Sequence, residues 1–120
     1  MTNIIKLVCT ASILLVAQSA MACDYPTRIV IPNGSTATKD DMLNGQRGVK
    51  SYVASMELYL ECIVEEEKLA VGALDDLEPE EEQRREDMMN QKYNAAVDEM
   101  ERIAAQFNAE VQAYKAKDDG

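Results

Sequence analysis

The chain has 120 residues, with 12 Lys or Arg, 22 Asp or Glu and no His, for a formal charge of −10. That length allows one domain, and the negative field makes nucleic acid and anionic membrane surfaces poor partners. Without histidine the commonest general base and metal ligand are missing, which excludes hydrolase triads and leaves any cysteine nucleophile without its imidazole.

In chain order, Lys6, an apolar run from Leu7 to Ala17 and the small-residue site Ala20-Met21-Ala22 read as an export signal cleaved before Cys23. The run falls short of the ~20 residues needed to span a bilayer, and Thr10, Ser12 and Gln18 dilute it. Removal of residues 1–22 leaves 98 residues and, because Lys6 is the one charge in that segment, takes the formal charge from −10 to −11. Cys9 goes with the leader. The expected location is the periplasm, where Cys23 and Cys62 pair by default, with a single intramolecular connectivity. A rival reading makes Cys23 the lipidated first residue of a lipoprotein: Ala22 fits such a site, Ala20 and Met21 do not, and Cys62 would then stay unpaired.

Residues 23–37 hold two prolines, an Asn33-Gly34 pair and the β-branched run Ile29 to Ile31, the composition of an extended arm ending in a turn. Thr38, with Asp41 three residues on, supplies an N-cap, so a helix is expected from Lys39 to about Val71. Its apolar residues Met42, Val49, Val53, Met56, Leu60, Ile63 and Ala70 recur in steps of three, four and seven, on one stripe. Gly45 and Gly48 weaken its first turns, and Gly72 is expected to stop it.

Pro79 suits the first turn of a second helix, and Glu80, Glu81 and Glu82 sit where the positive end of a helix dipole stabilises them. A second stripe runs through Met89, Tyr93, Ala96, Val97, Met100, Ile103, Ala104, Phe107, Val111 and Tyr114, predicting a helix over 79–116 with Lys115 and Lys117 at its negative end. The expected fold is therefore all-α: an antiparallel, coiled-coil-like two-helix hairpin with an extended N-terminal arm and a disulfide staple. Two helices have one seam and bury little, so a third layer, a crosslink or dimerisation has to supply the rest, and the chain is expected to be a monomer or homodimer.

The arm is the candidate layer. It extends roughly 50 Å, while Cys62 lies about 36 Å along the helix from Thr38, so a bridge to Cys23 is reachable with slack. Tyr52, Tyr59 and Cys62 form a stripe beside the main one, a bed for the arm; the difference in rise per residue lays Tyr25 near Tyr59 and Thr27 to Ile29 near Tyr52. The same strip is a candidate packing surface for a partner helix if the arm leaves it.

Chemistry-bearing clusters read more simply as structure. Glu65 to Glu67 and Glu80 to Glu82 are solvated helix faces, and Asp75-Asp76 near Glu78 lack the spaced ladder of a calcium loop. A zinc site would have two cysteines and carboxylates alone, and a thin hairpin has no cleft to hold two acids for glycosidase work. Met42, Met56 and Met100 lie on the seams, where packing is a better use than copper capture. No catalytic, cofactor or metal site is expected.

The stretch Thr38 to Cys62, with Met42, Gln46, Val49-Lys50, Tyr52, Met56-Glu57 and Tyr59, and the stretch from Tyr93-Asn94 to Asp98, then Phe107-Asn108 and Val111 to Tyr114-Lys115, resemble small exported helical-hairpin proteins of proteobacteria with a Cys-led arm. The resemblance implies this architecture nearly end to end and no assigned activity. Tyr93-Asn94 stands where His-Asn is often found, so a role resting on that histidine is absent. The expected function is a non-enzymatic periplasmic binding or structural module; the alternatives are an envelope chaperone or adaptor presenting a helical surface, or the Cys23 lipoprotein. The expected partner is a protein, with no nucleic acid, and with a membrane only if Cys23 is lipidated.

Overall fold

The computed structural model describes residues 22–118, so the segment expected to be an export signal, apart from Ala22, lies outside the described residues. Two helices pack as an antiparallel hairpin, α1 over Lys39–Gly72 and α2 over Pro79–Asp118, with an extended arm before them. At 1.5 Å per residue the helices are about 51 and 60 Å long.

The start of α1 follows from two side chains. Thr38 sits in an extended conformation and its hydroxyl accepts from the Asp41 amide at 3.2 Å, while the Asp41 carboxylate accepts from the Thr38 amide and hydroxyl at 2.8 Å each. This closes a capping box and satisfies two otherwise orphaned donors. The Thr38 backbone amide, then its hydroxyl, hold the Asp41 carboxyl below its usual 3.8, with Lys117 contributing and slight burial opposing. A carboxylate whose folded pKa is depressed stabilises fully above its unfolded pKa and loses that contribution as pH falls through the folded value. The melting temperature of the wild type should therefore exceed that of Asp41→Asn above pH about 4, and the two should converge as the pH falls below the usual carboxylate range and through the lowered Asp41 value. A gap that persists at low pH would mean that Asp41 acts by something other than its charge.

The other end of α1 falls at Gly72, as expected. No glycine among the described residues has a positive φ, and the cap residue Ala73 stays right-handed and donates its amide to Leu69 O at 3.1 Å. The left-handed residue of the connection is Asp76, φ 54°, a conformation that Asp tolerates better than most. Glu78 then accepts the first intrahelical bonds from Glu81 and Glu82, with Pro79 as the first helical residue.

Between the helices lie Met56, Leu60 and Ile63 of α1 and Ala96, Ile103 and Phe107 of α2, with Met56 fully buried. Toward the turn the seam is crossed by a forked ion pair, Arg85 to both oxygens of Glu67 at 2.8 and 3.1 Å. Of the second expected stripe, Tyr93 alone is exposed.

The arm does not follow α1 alone, as the reach argument had it, but lies in the groove between both helices and reaches α2 at several points. Asn33 O accepts from the amides of Thr36 and Ala37, and its side chain accepts from the Ser35 amide, making the turn. At its tip the Gly34 amide donates to Glu110 at 2.7 Å, and a Cβ on Gly34 would stand 1.9 Å from the Glu110 carbonyl oxygen, so only glycine fits this approach. Gly45 has the same use in α1: a Cβ there would meet the Pro32 ring at 2.7 Å. The glycine that weakens the helix is thus the one that admits the arm.

Candidate functional site

At the Cys23 end the arm is covalently fixed. The Cys23 and Cys62 sulfurs are bonded, with Cα atoms 5.7 Å apart, across 39 residues of sequence. Glu66 Oε2 lies 3.2 Å from the Cys23 sulfur. Tyr25 meets Tyr59 edge to face, ring centroids 4.9 Å apart at 75°, an arrangement that places the positive ring edge on the negative face. Lys92 Nζ of α2 lies 5.9 Å from the Tyr59 centroid. Ile29 and Cys23 pack on the cluster that contains Tyr52 and Tyr59, so the strip expected beside the main seam is the floor under the arm.

Tyr52 is buried and its hydroxyl has no hydrogen-bond partner. Burial pushes its pKa above the usual phenol range; the Tyr25 phenol adds to the shift, and Arg28 and Arg102 partly offset it. Removing residues 23–37 should raise tyrosine accessibility and dye binding and bring the Tyr52 titration down toward 10, while circular dichroism stays helical. Equal accessibility and titration in the intact and arm-deleted proteins would show that the arm does not cover the strip.

Sequence reasoning missed Glu99. It is the one charged side chain buried among the described residues, and Arg28 of the arm binds its Oε1 through Nε at 3.0 Å and Nη2 at 2.7 Å, with Arg102 of α2 on the other oxygen. A signal existed: Glu99 falls between Ala96 and Ile103 at helical spacing, and Arg28 is the only cation in the arm. A charge-assisted pair across the groove fixes the arm's register against α2 as the disulfide fixes it against α1. Both oxygens of the Glu99 carboxylate are thus taken up by guanidinium groups.

The opposite groove of the hairpin is uncovered. Leu60, Val64 and Tyr93 line an open depression flanked by Glu57 and Glu61, and nearer the turn Val71, Leu77 and Met89 continue the same face beside Glu86 and Asn90. A second depression, of about 460 Å³, lies at the foot of the arm between Pro32, Asn33 and Gly45. Among the described residues no group of three or more Cys, Asp or Glu is placed to hold a metal ion, and no helix is long and apolar enough to cross a membrane.

Comparison with known proteins returns no matching family model, no matching curated protein and no matching solved structure.

Proposed function

We propose that the chain is an exported, periplasmic helical module that works by binding or scaffolding and not by catalysis. The observation that carries this reading is the Cys23–Cys62 bond, which needs an oxidising compartment to persist and which turns the arm into a fixed third layer of the hairpin. A Cys23 sulfur bonded to Cys62 has no thiol left to carry a thioether lipid, which favours the untethered form over the lipoprotein. The arrangement of acids supports the non-catalytic half: the buried carboxylate is neutralised by Arg28 and Arg102, and Glu65, Glu66 and the Glu80–Glu82 run are solvated or only half-covered.

Cell fractionation with N-terminal sequencing tests it. The protein should leave the cell on osmotic shock and begin at Cys23; retention in the cytoplasm, or a diacylglycerol mass on Cys23, would contradict it. One observation favours the chaperone or adaptor reading: Leu58, Leu69 and Met88 are each about two-thirds exposed on the helices. Suppression of client aggregation at equimolar amounts would replace the first reading with that one.

A further inference from the structure

The hairpin has two grooves, and the chain fills one of them with its own arm. The other is lined by the outer edge of the two seam stripes, Val53 and Leu60 of α1 and Val97, Met100 and Ala104 of α2, widened by Val64, in steps of three, four and seven residues. Val64 and Tyr93 are 47% and 39% exposed on this face. Cations, acids and amides edge it, Lys50, Glu57, Glu61 and Lys68 along α1, and Glu86, Asn90, Asn94 and Glu101 along α2, all of them exposed.

We infer that this face binds a second copy of the chain, giving a four-helix bundle with its two-fold axis along the helices, so that α1 of one copy lies antiparallel on α2 of the other. Charge selects this arrangement. The Arg85–Glu67 pair and the packing of Phe107 beside Gly45 set the heights within one hairpin: Lys50 is level with Glu101, Lys68 with Glu86, and Glu57 and Glu61 with Asn94 and Asn90, each within about half a turn. A two-fold along the helices preserves height, so each Lys meets an acid of the other copy and each remaining acid meets an amide that can donate to it. The competing two-fold, across the helices at the centre of the apolar stripe, lays α1 on α1 and sets Lys50 against Lys68 and Glu57 against Glu61. Like charges oppose it at every step.

The size is also right. From Gln46 to Val71 the face is about 38 Å long, and two helices are about 20 Å wide, so each copy covers about 750 Å², close to the ~800 Å² per partner of a standard stable interface. Every neighbouring pair of helices in the bundle is antiparallel, the orientation that helix dipoles favour, and both arms with their disulfides lie on the outside. The assembly does not rest on the proposed location or role of the protein, and its failure would leave both standing.

Sedimentation equilibrium of the disulfide-bonded protein at micromolar concentration should give twice the chain mass, with added salt strengthening the dimer by screening two strongly acidic copies. Val64→Asp and Tyr93→Asp, at positions exposed in one copy, should give monomers of unchanged helicity. Lys50→Glu should weaken dimerisation about tenfold, and Glu101→Lys in the same chain should restore it. A monomer at all concentrations, a dimer indifferent to both Asp variants, or a dimer strengthened by Lys50→Glu, the signature of α1 on α1, would overturn the inference.

Discussion

Met56→Asp should destabilise the protein by about 4 kcal/mol or more, enough to leave a chain of this size largely unfolded near 37 °C. Met56 is fully buried, among Tyr52, Tyr59, Leu60 and Ile63 of its own helix and Ala96 and Ile103 of α2, so the substitution removes a large apolar side chain and puts an unpaired carboxylate in its place. Two comparisons make the effect specific to the seam. Leu58→Asp, two residues away on an exposed face, should stay within about 0.5 kcal/mol. Met100→Asp should fall between them in the monomer, because Met100 is half-buried in the single hairpin and an aspartate in its place keeps a path to water there. Urea unfolding followed by circular dichroism measures all three, and equal losses at Leu58 and Met56 would refute this packing.

Cys62→Ala should cost about 4 kcal/mol in the chain-entropy account, since the bond closes a loop across a separation of 39 residues. For a domain of this size that is a drop in Tm of roughly 15–30 °C. The arm retains Arg28–Glu99, the Gly34–Glu110 bond and the 2.6 Å bond from Lys117 to the Ala37 carbonyl, so the loss should be graded along its length. Hydrogen exchange should rise around Tyr25 and stay low around Ala37, which is buried against Met42 and Phe107. Uniform loss of protection from Cys23 to Thr38 would show that the arm is held by the disulfide alone.

The helices were legible because each boundary has a local cause. Thr38 and Asp41 form their box from residues three apart, Pro79 opens α2, and both stripes follow from a period that the backbone imposes on any packed helix. The arm's path was legible only in part. Its reach toward Cys62 follows from chain geometry, but its seat between the helices depends on Glu99 and Glu110 of α2, 71 and 76 residues away from the groups they bind. Pairings at that separation leave no periodicity to read. Gly45 shows the same limit from the other side: its propensity speaks of a weak helix, and its purpose is visible only with Pro32 in place. Gly72 ends α1 as its low propensity suggests, while the left-handed turn of the connection falls on Asp76, which no local signal singles out.

The disulfide joins the arm to the hairpin and fits an oxidising compartment, and thiol counting on the protein purified from cells tests it most directly. Mass spectrometry without reductant should find a chain two hydrogens lighter than its reduced form, with no alkylatable thiol, and a proteolytic map that links the Cys23 peptide to the Cys62 peptide. Two free thiols, or Cys62 free beside a modified Cys23, would contradict the account.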